Sequence, residues 1–225
     1  MRTIVITILS VLTLDQALKL WVKMNFLYGE NLELIPGTLD LQFVENPGMA
    51  FGWMFPGTTG KLALSIFRIV VVGGIFYYVY TLLKKKTHKG FLFSLALIIA
   101  GALGNIIDSA AYGLVFDRGS VYDAHYQDYI AYSGIAEANG GGYAPFLMGN
   151  VVDMIHLTTE ITYPSWSPIH AGQTRELFPP VFNIADSAIT VGIILILLFQ
   201  KRFFREEEHA EMIVEENQNL SEGNA

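Results

Sequence analysis

The sequence predicts an all-α membrane protein with four transmembrane helices, a small extracytoplasmic β-like segment and an extended outer loop. Three observations predict this fold. Hydrophobic residues make up 52% of the 225 residues, charged residues make up only 16%, and the apolar residues fall into four long runs. Typical soluble domains carry about 25% charged residues. Buried helices of a soluble protein are the alternative, and four runs of this length argue against it.

The four runs give the predicted spans in chain order: 4–22, 62–83, 91–113 and 181–200. Roughly 20 apolar residues in a helix cross a bilayer core, and lipid offers no partner for unpaired backbone groups. The first run continues through Asp15 and Lys19, and no small-residue cleavage site follows it. We therefore interpret it as a retained helix and not as a cleaved secretory signal.

Basic residues predict the orientation of the spans. They cluster before the first span, between the second and third, and after the fourth: Arg2; Lys84, Lys85, Lys86 and Lys89; Lys201, Arg202 and Arg205. Cytoplasmic loops carry the excess of Lys and Arg. Both termini are therefore expected in the cytoplasm, with segments 24–60 and 114–180 outside it.

The charge distribution divides the chain into a membrane domain, residues 1–205, and an acidic tail, residues 206–225. The tail holds seven glutamates and no Lys or Arg, and these seven acids equal the whole net charge of −7. Such a composition predicts a solvated cytoplasmic extension. The chain has no cysteine, which excludes disulfides, thiolate metal sites and a cysteine nucleophile.

The outward segments carry weaker patterns. Apolar and polar residues roughly alternate over 32–44 around Pro36-Gly37, which predicts short strands. Residues 117–143 are rich in Tyr, Asp, Ala and Gly, and this insertion is predicted to be flexible or wrapped over the helices. A compact apolar stretch at 151–157 contains Asp153, and four prolines in 162–180 favour an irregular interfacial loop.

Polar residues inside the spans ask for an explanation, because an ionisable group there costs roughly 2.5–3.5 kcal/mol on insertion scales. They all lie in the outer half of the predicted membrane: Asp15, Lys19, Arg68, Asn105, Asp108, Asn183 and Asp186. Several are spaced three or four apart and so share a helix face. The pattern predicts a polar pocket that opens outward. Helix packing or snorkelling is the alternative, particularly for Lys19 and Arg68.

Five short motifs occur in the order that is typical of one family. They are Asp15-Gln16-Ala17-Leu18-Lys19 (D-Q-x-x-K), residues 46–52 (N-x-G-x-A-F-G), residues 101–108 (G-A-x-G-N-x-x-D), residues 149–153 (G-x-V-V-D) and residues 182–187 (F-N-x-A-D-S). Each motif alone is weak. Together with the four spans, the set resembles the lipoprotein signal peptidase (signal peptidase II) family over most of residues 10–200.

The resemblance implies an aspartic endopeptidase of the bacterial inner membrane. It assigns the catalytic pair to Asp153 and Asp186. Supporting roles fall to Asn46, Asn105, Asp108 and Asn183, while Asp15 and Lys19 shape the site. The implied substrate is a prolipoprotein that is cleaved immediately before a cysteine carrying diacylglycerol. The implied enzyme is a monomer in contact with membrane lipids, with no metal, cofactor or nucleic acid.

The chain departs from the family pattern in two places. Ser109 stands where the family usually has arginine, and from its depth alone Arg68 is a candidate replacement cation. Residues 114–148 also intervene before the first catalytic acid. This insertion creates a competing match, G-x-V-x-D, that ends at Asp117. We favour Asp153, because Val-Val-Asp-Met is the closer match and an apolar run follows it.

Three other functions remain open at the level of sequence. A proton-coupled membrane carrier, or a subunit of one, also uses membrane acids, but the inner halves of these spans are nearly all apolar. A serine–lysine peptidase would pair Lys19 with Ser109 or Ser187, although both serines suit helix packing better. Zinc chemistry at His156 lacks a second histidine nearby.

Overall fold

The computed structural model describes the backbone of residues 1–48, 57–85 and 87–222, and the side chains of these ranges apart from 57–58 and 204–222. Within these residues four helical stretches are long and apolar enough to cross a membrane. They are Arg2–Lys23, Thr59–Leu82, Lys89–Val115 and Ile184–Phe203. The four predicted spans are therefore confirmed as helices.

The helices are α1 (Arg2–Lys23), α2 (Gly57–Leu82), α3 (Lys89–Ile107), a short α4 (Gly113–Val115) and α5 (Ile184–Glu222). One π-helical turn, Asp108–Tyr112, joins α3 to α4; such turns occur often at functional sites. The α5 backbone continues past the predicted end of the fourth span as far as Glu222. The division at residue 205 between membrane domain and tail stays a prediction.

The predicted all-α fold with a small β-like segment is confirmed in its four helices but is not exact, because the β-structure is more extensive. An antiparallel four-stranded sheet has the order β1-β2-β5-β6, and a second sheet pairs β3 with β4. The strands are β1 (Asn31–Ile35), β2 (Leu39–Asn46), β3 (Val121–Asp123), β4 (Asp128–Ile130), β5 (Val151–Thr162) and β6 (Thr174–Phe182). The strands predicted over 32–44 are confirmed as β1 and β2.

The predicted irregular loop over 162–180 is wrong in its second half, where β6 forms. Pro179 and Pro180 suggested irregular structure, since proline has no N–H for a strand ladder. However, β6 is the edge strand of its sheet, where one side of the backbone needs no partner. Proline is therefore tolerated in this position.

The insertion over 114–148 wraps onto the sheet and the C-terminal end of α1. Phe116 is fully buried in a core with Val22 of α1 and Phe43 of β2, and Tyr132 and Tyr143 pack against the same core. Of the two alternatives that the composition left, flexible or wrapped, the structure has the second.

Glycines allow the helices to approach closely around the polar residues. A Cβ atom at Gly101 would lie 2.1 Å from the Ala185 carbonyl oxygen of α5. A Cβ atom at Gly104 would lie 2.6 Å from the Asp15 carboxylate of α1. Both distances are too short for any side chain, so the G-A-x-G spacing brings α3 against α5 and α1.

Candidate active site

Asp186 is fixed by the start of α5. Asn183 precedes this helix, and its Oδ1 accepts a hydrogen bond from the Asp186 N–H at 2.8 Å. In return, Asp186 Oδ2 lies 3.4 Å from the Asn183 N–H. This reciprocal pairing has the geometry of a capping box, in which the N-cap residue and the third helical residue satisfy each other's free N–H groups. The three-residue spacing in F-N-x-A-D-S therefore has a structural cause.

Asp153 lies on β5 and is buried, with 3% of its surface exposed. Its Oδ1 accepts a hydrogen bond from Asn183 Nδ2 at 2.6 Å. The Asn46 side chain also hydrogen-bonds to Asp153. Since Asn46 Oδ1 already accepts from the Gly48 N–H at 3.0 Å, its amide nitrogen is left to donate.

Two asparagines connect the two carboxylates. Asn105 Nδ2 donates to Asp186 Oδ1 at 2.8 Å, and Asn183 Nδ2 lies 3.2 Å from Asn105 Oδ1. Burial first, and then the Asp186 carboxylate, raise the pKa of Asp153 to about 8. Two close carboxylates cannot both ionise cheaply, so Asp153 keeps its proton near neutral pH.

A buried cluster centred on Lys19 lies next to the two acids. The Lys19 Nζ lies 2.9 Å from Asp15, 2.8 Å from Asp108 and 2.9 Å from Asn105 Oδ1. All of these side chains are at most 5% exposed. A buried ammonium group is tolerated when it is paired and hydrogen-bonded, and this one has two carboxylates.

The cluster is bonded to the backbone on both sides of the acid pair. Asp15 Oδ1 accepts from the N–H of Ala185, next to Asp186, at 2.9 Å. Asp108 Oδ2 lies 3.3 Å from the N–H of Val152, next to Asp153. Through Asp15 and Asp108, Lys19 therefore connects the start of α5 to β5.

The structure brings all eight predicted site residues together: Asn46, Asp15, Lys19, Asn105, Asp108, Asp153, Asn183 and Asp186. Sequence reasoning missed the role of Gln16, whose Nε2 donates to Asp108 Oδ1 at 2.8 Å. Its Oε1 accepts from the Tyr112 hydroxyl at 3.1 Å. The second position of the D-Q-x-x-K motif was a signal for it.

Asp117 lies away from this cluster. Its carboxylate pairs with Arg118 at 2.7 Å and accepts from the Glu137 N–H at 2.8 Å. The hydrogen bond from Arg118 lowers the pKa of this carboxyl group, which is 17% exposed. Asp117 is therefore a partly buried acid of the insertion that is held by local contacts.

The other candidate side chains make local contacts. Ser109 and Ser187 each donate to a backbone carbonyl four residues earlier, at 3.0 and 2.9 Å. His156 pairs with Glu176 across β5 and β6 at 3.3 Å. In the described part of the chain, no group of three or more His, Asp or Glu side chains is arranged to hold a metal ion.

Arg68 of α2 lies beside the acid pair. It lines a small pocket together with Asn46, Ser65 and Ser109. Its guanidinium is within electrostatic range of Asp186 and Asp153. Over the described ranges no hydrogen bond or ion pair joins Arg68 to another side chain. Arg68 and Ser109 therefore line the same pocket. The role of Arg68 as a replacement cation stays a prediction.

Known proteins resemble this chain in sequence and in fold. A family model described as signal peptidase (SPase) II matches residues 7–202. The chain is 40% identical over 205 residues to the lipoprotein signal peptidase of Porphyromonas gingivalis (strain ATCC 33277), which covers 89% of this chain and 84% of that protein. The lipoprotein signal peptidase of Amoebophilus asiaticus is 34% identical over 194 residues, 84% of this chain and 74% of that one.

Among solved structures, a bacterial membrane enzyme determined at 2.3 Å has a TM-score of 0.55 and 22% identity to this chain. The match covers 90% of this chain and 89% of the other. At this level of identity, the likeness shows a shared fold.

Proposed function

Because the chain belongs to the signal peptidase II family, we propose that it is an aspartic endopeptidase with Asp153 and Asp186 as its catalytic pair. One observation carries this proposal: a strand and a helix bring the two acids to the same asparagine, Asn183. Asn183 bonds to Asp153 and caps Asp186, while Asn105 bonds to Asp186. The substrate is a prolipoprotein, cleaved before its diacylglyceryl-modified cysteine.

The pair divides the work of acid and base. The raised pKa of Asp153 keeps the shared proton there at neutral pH, so Asp153 donates a hydrogen bond to the scissile carbonyl oxygen. Asp186 takes a proton from a water molecule as the water oxygen attacks the carbonyl carbon. When the C–N bond breaks, Asp186 passes the proton that it took from water to the leaving amine. The pair then holds a single proton again, on Asp153.

The remaining polar residues hold this pair. Asp15 and Asp108 each bond to the backbone next to one acid, and Lys19 neutralises part of their charge. Asn183 and Asn46 bond to Asp153, and Asn183 and Asn105 bond to Asp186, so the side chains are oriented before substrate binds. Such preorganisation lowers the cost of reaching the transition state.

The orientation in the membrane follows from the basic residues. Lys84 and Lys85 between α2 and α3, and Lys201 after the apolar part of α5, support a cytoplasmic position for both termini. The site then lies at the outer leaflet of the inner membrane, where a signal helix and acyl chains reach it from the lipid. A single chain supplies both acids, which supports a working monomer.

The carrier alternative finds no support. The family match and the relatives are peptidases. Among the described side chains, the buried charged residues of α1 and of the π-helical turn after α3 lie toward one end of the helices: Asp15, Lys19, Lys23 and Asp108.

The test is cleavage of a purified, lipidated prolipoprotein by wild type and by Asp153→Asn, Asp186→Asn and Asp117→Asn variants. Each dyad variant keeps the size of the side chain but not its acid–base function, and should lose about 10²–10⁴-fold in rate. Asp117→Asn is the matched control and should stay near wild type. Full activity of either dyad variant, or loss with Asp117→Asn alone, would refute the assignment.

A further inference from the structure

Glu45 is a buried acid of β2, next to the site residue Asn46 in the chain but on the opposite face of that strand. In the register of β2 and β5, Glu45 is opposite Val152 and Asn46 is opposite Val151. Successive residues of a strand point to opposite faces. Asn46 therefore faces Asp153, while Glu45 lies on the face where Phe43 and Val152 are buried.

Donors from several elements surround the Glu45 carboxylate. Oε2 accepts from the Ser120 N–H at 2.7 Å, from the Ser120 hydroxyl at 3.2 Å and from Asn150 Nδ2 at 2.7 Å. Oε1 accepts from Lys23 and, at 3.3 Å, from the Tyr132 hydroxyl. Ser120 and Tyr132 belong to the insertion over 114–148, so this segment completes the shell of the acid.

The partner cation, Lys23, is enclosed in turn. Its Nζ lies 4.9–5.9 Å from the centres of four aromatic rings, three of them from the insertion: Phe43, Phe116, Tyr132 and Tyr143. Aromatic faces attract cations at this range. The Lys23 and Glu45 side chains have no exposed surface, so the pair is a closed structural unit.

Asn150 connects this unit to the strand that carries Asp153. Its Nδ2 bonds to Glu45 and to the Ser120 carbonyl at 2.8 Å, and its backbone N–H donates to the Tyr143 hydroxyl at 2.7 Å. Its Oδ1 accepts from Lys61 of α2. Three residues later, β5 presents Asp153. The start of β5 is thus held by α2, β2 and the insertion together.

We propose that Glu45 is a positioning residue, through which the insertion fixes the register of β2 against β5 and so the placement of Asn46 and Asp153. A slip by one residue would exchange the two faces of a strand, turning Glu45 toward the acid pair and Asn46 away from it. This inference rests on the proposed function, because it concerns the placement of the proposed catalytic acid.

The first test is Glu45→Gln, assayed on a lipidated prolipoprotein. With Asp153 less firmly placed, kcat should fall about tenfold while KM stays near wild type. The alkaline limb of the pH–rate profile should also move to lower pH, because an Asp153 that lies farther from Asp186 or is less buried loses the causes of its raised pKa. Unchanged kcat and an unchanged profile would overturn the inference.

The single variant leaves Lys23 buried without its counter-ion, which destabilises the fold by itself. The double variant Lys23→Met/Glu45→Gln removes both charges and should recover a thermal midpoint near wild type. Positioning predicts that kcat stays about tenfold low in this double variant. Recovery of kcat together with the midpoint would show a purely structural role and overturn the inference.

Tyr132→Phe removes one hydroxyl from Glu45 and should lower kcat by a few fold, since a neutral hydrogen bond is a modest contribution. Tyr122→Phe is its control, in the β3–β4 hairpin of the same insertion, and should match wild type. An Asp153→Asn arm separates the two proposals. If Asp153→Asn is inactive but the Lys23→Met/Glu45→Gln variant has wild-type kcat, only the inference on Glu45 fails. If Asp153→Asn is active, the proposed catalytic pair fails, and the inference on Glu45 fails with it.

Discussion

Lys19 and Lys23 lie one helical turn apart on α1, and both are fully buried, yet their surroundings differ. Lys19 is held by two carboxylates among helices, Asp15 of α1 and Asp108 of the π-helical turn after α3. Lys23 is held by Glu45 of a strand and by aromatic rings of a long connection. The first cluster has two acids for one cation, and the second has one for one.

The difference shows what kind of support each part of the site needs. The Lys19 cluster has two carboxyl groups for one cation and bonds directly to the backbone beside both proposed catalytic acids. Of these two acids, the Lys23 cluster reaches only Asp153, through β2 and through Asn150 before β5. We therefore expect damage at Lys19 to disturb both acids, and damage at Lys23 to disturb Asp153 alone.

The largest effect is expected for Lys19→Met, which leaves the buried carboxyl groups of Asp15 and Asp108 without their cation. Removing one partner of a buried ion pair costs about 3–5 kcal/mol, and here two carboxylates lose their cation. We expect more than about a 100-fold loss of cleavage and a lower thermal midpoint in detergent. A Lys19→Met variant that is less impaired than Lys23→Met would contradict the ranking of the two clusters.

The pH dependence of cleavage tests the buried surroundings of Asp153. The raised pKa of Asp153 means that its proton is lost as the pH rises through about 8. Cleavage should therefore fall about tenfold per pH unit above that value, as expected for loss of one essential proton. A pH–rate profile on a prolipoprotein without other titrating groups near the cleavage site measures this.

Stability should follow the same titration. The folded pKa of Asp153 lies above its unfolded value, so its contribution is complete below the unfolded pKa and is lost as the pH rises through the folded one. Asp153→Asn should therefore raise the thermal midpoint relative to wild type at pH 9 and not at pH 4. An equal difference at both pH values would argue against a buried, protonated Asp153.

The smallest effect is expected for Arg68, a cation of the spans that, unlike either lysine, has no ion-pair partner in the described ranges. Arg68→Met should leave the thermal midpoint unchanged. Because Arg68 lines the pocket beside Asn46, KM should rise about tenfold through loss of one charged hydrogen bond to substrate. Arg175→Met, an exposed arginine of β6, is the control. A lower midpoint with unchanged KM would contradict this role.

The two clusters also differ in how far the sequence predicts them. The Lys19 cluster is built from pairs three or four residues apart on helices, and apolar runs mark those helices clearly, so its members were predicted. Glu45, Ser120 and Asn150 meet through strand pairing across about 100 residues, which leaves no periodic signal. The same reason explains why β5 and β6 were missed: their register depends on long-range partners, and prolines at a sheet edge imitate a loop.

The capping pattern at the start of the last helix limits which acid can stand at position 186. The Asp186 carboxylate both accepts from the Asn183 N–H and faces Asn105, so one rotamer serves two purposes. A glutamate would carry the oxygens about 1.5 Å farther along the side chain, with one more torsion to freeze. Charge alone is therefore not enough, and the shorter homologue is selected by geometry.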